Sequence, residues 1–341
     1  MARIVCAGGG TLGSVTPLLA LVPELQKRNA EVTWIGTYRG PERQVVEGAG
    51  VRFFPIVAPK FRRYISWRHL LLPCEFLFSL IQSFCLLAYL RPHLVLSAGG
   101  FVAVPVIWLG KVFGAKVIVH QQDVEVGLAN RLSFFVADII TTALPLHERV
   151  INRHNVVWTG NPVRDLAPTT HIFSHTGPTI LIFGGGTGAA GINALVSKEL
   201  CVNATVIHIT GAGKSSASFE DPHYITFPFL REEMKEALAR ADVVVCRAGL
   251  GTLSELAALK KAAIIIPLPG THQEKNAQLL TEHHAAVVRT QSDLTPTALA
   301  NQVAELLANP LARHTLGSSL HALFPQNTVG RYGEIIDATL R

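Results

Sequence analysis

The chain has 341 residues, 49% of them apolar and only 16% charged, which excludes a disordered or highly charged polypeptide and leaves room for about two domains. Thirty Lys and Arg against 24 Asp and Glu give a net charge of +6, suited to phosphates or an acidic membrane face but without the dense basic clusters of a nucleic-acid binder. Five cysteines, an odd number with no CxxC spacing, exclude a disulfide framework and a zinc knuckle and fit a reducing compartment. The opening MARIVCAGGG has too short an apolar run for a signal peptide and reads as a first strand, residues 3–7.

Glycines follow, then a helix over about 17–28, a strand over 31–37, and a turn with a third strand within 48–56. Residues 70–90 are 21 in number, long enough to cross a bilayer, but Glu75, Ser79, Gln82 and Ser83 interrupt them. Phe76, Leu77, Leu80, Ile81, Phe84 and Leu87 recur at helical spacing, which fits an amphipathic helix laid on a domain core. Arg62, Arg63, Trp67 and Arg68 just upstream fit instead a helix resting on a membrane surface. A strand-like run at 93–97 argues against a true span. It ends at Ala98-Gly99-Gly100 and leads to a helix reaching Phe113, then strands at 116–120, 138–142 and 155–158.

The pattern then restarts. A strand at 179–183 runs into Gly184-Gly185-Gly186-Thr187-Gly188 and a helix. Strands at 204–210, 224–227, 242–246, 263–267 and 285–288 follow, most of them ending in glycine. Strand, glycine, helix repeated in this way indicates an α/β chain of two Rossmann-like domains with parallel sheets. The expected division is 1–159, 160–322, and a C-terminal segment 323–341 whose helix, about 329–340, could pack back on the N-terminal domain.

Four glycine turns at carboxyl ends of strands carry the chemistry. Gly8-Gly9-Gly10-Thr11-Leu12-Gly13 precedes a helix, where backbone N–H groups and the helix dipole favour an anion. It also matches a dinucleotide fingerprint, but the second strand ends in Thr37-Tyr38-Arg39 with no acid for a ribose. The turns 184–188 and 98–101 repeat the arrangement, and two anion-binding loops facing across a cleft suit substrates that both carry pyrophosphate. The fourth is the most specific. In Arg247-Ala248-Gly249-Leu250-Gly251-Thr252-Leu253-Ser254-Glu255 the amides of 250–252 could hold a diphosphate and Glu255 a ribose diol, or Ser254 and Glu255 could simply complement the helix dipole. Gln273 and Asn276, three apart on one helix face, could read sugar hydroxyls.

The segments GGGTLGSVTPLLAL, LSAGGFVAVP, VHQQDVEVGLANRL, TGNPVR, FGGGTGAAGIN, RAGLGTLSELAAL and HQEKNA together resemble the peptidoglycan N-acetylglucosaminyltransferases, members of the GT-B glycosyltransferases, over nearly the whole chain. The resemblance implies two Rossmann-like domains with parallel sheets facing across a cleft. It implies UDP-N-acetylglucosamine (UDP-GlcNAc) as donor and undecaprenyl-pyrophosphoryl-muramyl-pentapeptide as acceptor. It further implies inversion at the anomeric carbon, no metal, no cofactor beyond the substrate, no nucleic acid, and peripheral attachment to the cytoplasmic membrane face.

Carried over by position, the donor residues are Arg164, Gly185, Gly186, Thr187, Gly188, Asn193, Leu230, Arg247, Gly249, Leu250, Gly251, Thr252, Leu253, Ser254, Glu255, Gln273 and Asn276. The acceptor residues are Gly10, Thr11, Leu12, Gly13, Gly99, Gly100, Phe101 and Asn130. Where the family carries a histidine near the reacting centre, this chain has Ser14, a much poorer base. The family's H-E-Q-N reads His120-Gln121-Gln122-Asp123, so a carboxylate has moved two residues on. Asp123 is therefore the first candidate for the base, with His120, Ser14 and Thr11 the other residues at the chemistry. Two alternatives remain: a related GT-B enzyme with a different lipid acceptor or a UDP-sugar epimerase, and a non-catalytic UDP-sugar-binding protein.

Overall fold

Short apolar runs flanked by glycine set the strands of this chain, and they pair in parallel throughout, as expected for strands covered on both faces. The computed structural model describes residues 1–58, 72–145, 155–185, 188–215 and 219–341. The chain forms two units, Met1–Arg164 with Pro325–Arg341, and Asp165–Phe324. The first boundary thus follows Arg164 rather than residue 159, and the second follows Phe324 rather than residue 322.

In the first unit β1 (Ala2–Ala7) leads to α1 (Thr16–Lys27), β2 (Ala30–Thr37), α2 (Glu42–Gly48) and β3 (Arg52–Ile56). Then come α3 (Leu72–Leu90), β4 (Leu94–Ser97), α4 (Ala103–Val112), β5 (Lys116–Gln121), α5 (Leu128–Phe134), β6 (Ile139–Thr142) and β7 (Val156–Trp158). The sheet order is β3-β2-β1-β4-β5-β6-β7. The turn expected before β3 contains the seven-residue α2.

The second unit runs β8 (Thr179–Phe183), α6 (Ala190–Asn193), β9 (Thr205–Ile209), β10 (Tyr224–Phe227), α7 (Glu233–Arg240), β11 (Val243–Cys246) and α8 (Leu250–Ala258). It continues with β12 (Ala262–Ile265), α9 (Gln273–Glu282), β13 (Val287–Val288), α10 (Pro296–Ala308) and α11 (Pro310–Ala322). The sheet order β10-β9-β8-β11-β12-β13 repeats the first. The helix expected after Gly188 is the four-residue α6, where Gly191 weakens helix formation and backs onto Gln291.

The last helix, α12 (Thr328–Leu340), belongs to the first unit. Its Tyr332 and Ile336 join Leu18, Leu21, Leu25 and Trp34 in one buried cluster beside the sheet. In both sheets the strand order reverses between the first strand and the strand that follows it on the other side, β1/β4 and β8/β11. Ligands of open α/β sheets bind at that reversal, and the four glycine turns flank it in pairs.

The α3 helix turns only part of the expected apolar stripe outward: Leu77, Ile81 and Phe84 are exposed, Phe76 and Leu80 half-buried, and Leu87 buried. Ser79, Ser83 and Leu87 are its buried residues, while Leu77, Phe78, Ile81 and Phe84 are more than half exposed. Small serines let α3 approach α4, with Phe76 edge-on to Trp108 at 6.4 Å and Phe84 against Phe113 at 5.1 Å. The basic residues Arg62, Arg63, Trp67 and Arg68 of the expected membrane-facing segment lie outside the described residues.

Candidate functional site

At the β1/β4 reversal the 8–13 turn is held from below. Gly10, at φ +84°, donates its N–H to Glu42 Oε2 at 3.1 Å. Glu42 is fully buried and also accepts from the N–H of Thr37 at 2.8 Å and from its hydroxyl. Its carboxylate occupies the space that side chains at Gly9 and Gly40 would fill. Gln122 Nε2 reaches the Gly13 carbonyl at 2.8 Å, joining this turn to the end of β5. Gly100, at φ +92°, lies so close to the Gly9 carbonyl that a Cβ would sit 2.9 Å from it. Gly10, Thr11 and Gly13 therefore form an exposed tip, with Leu12 and Phe101 half-buried beside it. Ser14 is buried beneath that tip, its hydroxyl 3.5 Å from the Thr11 carbonyl oxygen.

His120 lies one residue before the end of β5. It is 1% exposed, with Nε2 3.0 Å from Asn161 Oδ1 and Nδ1 in contact with Tyr332 OH at 2.7 Å and Thr141 Oγ1 at 3.1 Å. Burial pushes its pKa down to about 4, against the hydrogen bonds from Asn161 and Thr141. The ring is a neutral connector that ties α12 to the sheet. Three residues on, Asp123 is half-buried, and Gln121 Nε2 donates to its backbone carbonyl at 2.7 Å. Asn130 is buried, its amide nitrogen bonded to Gln121 Oε1 at 2.6 Å and to the His120 carbonyl at 3.1 Å. Its Oδ1 has no partner, and a Cβ on Gly99 would lie 3.0 Å from it.

At the β8/β11 reversal a cavity of about 380 Å³ is lined by Gly184, Gly188, Gly191, Arg247, Gln273 and Gln291, with Lys214 at its wall. Arg247 is 6% exposed. Its Nη1 donates to the carbonyls of Ile266 and Pro267, both at 3.0 Å, and its Nη2 to Gln291 Oε1 at 2.6 Å, while Nε has no partner. Gly249 begins α8 in an extended conformation with no side-chain cap, so the amides of Leu250, Gly251 and Thr252 are the first, intrahelically unsatisfied donors. Glu255 stands half-buried one turn on, Gly185 has φ +91°, and Arg164 is half-buried at the end of the first unit. Gly186 and Thr187 lie outside the described residues.

Several expected donor residues also make contacts that hold the turns in place. Asn193 Nδ2 donates to the carbonyls of Thr210 and Ser215, both at 3.0 Å, and its Oδ1 meets His208 Nε2 at 3.1 Å. The Ser254 hydroxyl turns back to the Leu250 carbonyl at 2.7 Å, and Leu253 is 1% exposed. Asn276, also 1% exposed, donates to the Ala248 carbonyl at 3.0 Å and so pins the 247–251 turn to α9. Leu230 is buried, which leaves its backbone as the part able to read a base. Sequence reasoning missed Glu42, Gln122, Lys214 and Gln291. Only the glycines around Glu42 hinted at a side chain needing room there.

Two Rossmann-like units of parallel sheets, each with glycine turns at its strand reversal, define a GT-B architecture. The chain belongs to glycosyltransferase family 28: residues 4–142 match its N-terminal domain and residues 179–324 its C-terminal domain. It is 35% identical over 91% of its length to the UDP-N-acetylglucosamine--N-acetylmuramyl-(pentapeptide) pyrophosphoryl-undecaprenol N-acetylglucosamine transferase of Lachnospira eligens, covering 92% of that protein. It is 32% identical to the protein of the same name from Clostridium kluyveri, over 99% of both chains. The crystal structure of Acinetobacter baumannii MurG has the same fold, with a TM-score of 0.74 over 99% of this chain and all of that one at 23% identity.

Proposed function

We propose that this chain transfers N-acetylglucosamine from UDP-GlcNAc to undecaprenyl-pyrophosphoryl-muramyl-pentapeptide, with inversion. The observation that carries the donor half is the glycine-lined cavity at the β8/β11 reversal, with the buried Arg247 in its wall and the uncapped start of α8 three residues further along the chain. The names of relatives matched over 91% and 99% of the chain support the acceptor half. In this reading Glu255 accepts from the ribose hydroxyls, the 250–252 amides hold the diphosphate, Leu230 reads uracil through its backbone, and Gln273 contacts the sugar. The exposed Gly10–Gly13 tip, with Gly99, Gly100 and Asn130 beside it, receives the acceptor diphosphate. Asp123 removes the proton of the attacking hydroxyl. The hydroxyl oxygen bonds to the anomeric carbon as the bond to the phosphate oxygen breaks, and UDP departs with that electron pair.

The test is transfer of labelled GlcNAc to a lipid-linked muramyl-pentapeptide analogue with UDP release followed in parallel. Product matched by UDP is expected. UDP-GlcNAc binding without product would leave only a nucleotide-sugar-binding protein. Protein cations and amides meet the diphosphate in this scheme, so turnover should survive EDTA, and loss of activity on chelation would overturn that part.

We further infer that the chain works at a membrane surface, on the cytoplasmic side where UDP-sugars are found. Support comes from α3, whose outward Leu77, Phe78, Ile81 and Phe84 continue into the exposed Val112 and Phe113 of the α4 end. A helix buried along Ser79, Ser83 and Leu87 and apolar on its outer face suits a bilayer interface better than a span.

A further inference from the structure

The turn after β9 carries two glycines at positive φ, Gly211 at +94° and Gly213 at +70°, and the residue beside them, Lys214, lines the cavity of the second unit. Glycine loses more backbone freedom than any other residue when it is fixed, so a turn built on two of them samples many shapes unless something holds it. Here the hold comes from behind. Asn193 ends α6 and is 6% exposed, and its Nδ2 donates to the two carbonyls that bracket the turn, Thr210 and Ser215, each at 3.0 Å. Gly188, also in the cavity wall, lies so close to the Thr210 carbonyl and to Gly211 that no Cβ fits between them.

A buried ring in turn holds Asn193. Its Oδ1 stands 3.1 Å from His208 Nε2, and His208 Nδ1 stands 2.7 Å from the Tyr224 hydroxyl. Carbonyls only accept, so the Asn193 amide nitrogen must face Thr210 and Ser215 and its oxygen must face the ring. Nε2 therefore carries the ring hydrogen, and Nδ1 accepts from Tyr224. Burial lowers the pKa of His208 to about 4 and keeps the ring neutral, as this tautomer requires. The hydrogen bonds run in one direction, from Tyr224 through His208 and Asn193 to the two carbonyls. His208 itself lies on β9, fully buried, and does not line the cavity.

We propose that His208 is a positioning residue for the nucleoside-diphosphate sugar: by orienting Asn193 it presets the 211–215 turn at the cavity. This rests on the donor reading above. The donor then meets a turn already in its binding shape, and the entropy of ordering two glycines is lost on folding rather than on binding. An aliphatic side chain in place of the ring fills the core but leaves Asn193 Oδ1 without its donor, and the amide then turns away from the two carbonyls.

The test is titration calorimetry of UDP-GlcNAc on the full chain, well below Tm, with wild type, His208→Leu, Asn193→Asp, the double variant and His208→Gln. Leucine removes the donor to Asn193, and aspartate has no hydrogens for Thr210 and Ser215. Each single variant should weaken UDP-GlcNAc roughly tenfold. The double variant should bind no more weakly than the weaker single, because both residues act through one contact. His208→Gln, whose amide again donates to Asn193, should recover most of the affinity. Wild-type affinity in His208→Leu, even with a lowered Tm, would overturn the proposal, because the network would then serve folding alone. Additive losses in the double variant, or a loss in His208→Gln equal to that in His208→Leu, would also overturn it. Should His208→Leu not fold, unchanged affinity in Asn193→Asp would do the same. Failure of the wild-type protein to bind UDP-GlcNAc would overturn the donor reading itself and this proposal with it.

Discussion

Asp123 and His120 lie three residues apart at the end of one strand, yet only Asp123 reaches a partly open position. Replacing Asp123 by Asn should cut turnover by about 10²–10⁴, the usual worth of a general base, while UDP affinity stays near wild type. Wild-type-like turnover would remove it from that role. Glu42 was silent in the sequence because an acid near a turn is ordinarily a solvated surface residue. In the folded chain it collects the N–H groups of Gly10 and Thr37. Glu42→Gln turns an amide donor toward a cluster of donors and should cost about 1–3 kcal/mol, read as a lower denaturation midpoint. An unchanged midpoint would mean that the carboxylate does not support the turn.

Among the elements, α3 departs most from ordinary core packing. Its helical spacing was legible in the sequence, but the spacing alone did not say which face was buried. The tertiary structure decided that, burying Ser79, Ser83 and Leu87 while Phe76 and Phe84 meet Trp108 and Phe113 of α4 and its end. Ile81 and Phe84 are both about half exposed, so Ile81→Glu with Phe84→Glu should leave Tm within about 2 °C, as exposed substitutions usually do. The same pair should abolish sedimentation with anionic vesicles at low salt. Full retention on vesicles would exclude α3 as the membrane-facing element.

Among the described residues of the whole molecule, each unit buries a histidine in its sheet, His120 on β5 and His208 on β9. In the first, His120 joins Asn161, Thr141 and Tyr332. In the second, His208 joins Asn193 and Tyr224, at 3.1 and 2.7 Å. Burial lowers both pKa values from 6.5 to about 4. The unfolded chain therefore binds these protons as the pH falls below 6.5, while the folded chain refuses them until about pH 4. The stabilisation is complete above pH 6.5 and is lost on acidification, by ~3 kcal/mol for each histidine. Tm should fall steadily between pH 7 and 4.5, and His208→Gln should flatten that fall. A Tm independent of pH over this range would contradict the assignment of both rings as buried and neutral.

The order of strands, the two glycine-opened halves and the 247–255 turn were written in local sequence, because apolar runs ending in glycine have few other structures available. The same local signals marked Gly249 to Thr252 and Glu255 as candidate donor residues. Local sequence could not tell a polar side chain that faces a ligand from one that holds the turn, since both are polar residues beside glycines. Only the tertiary structure turned Ser254 and Asn193 onto backbone carbonyls, enclosed His120 with Asn161 and Tyr332, and buried Ser14 under the first turn. It also brought Lys214 and Arg247, 33 residues apart in the chain, to one cavity. Burial and hydrogen-bond partners depend on residues far away in sequence, and those distant neighbours decided which polar groups were left for substrate.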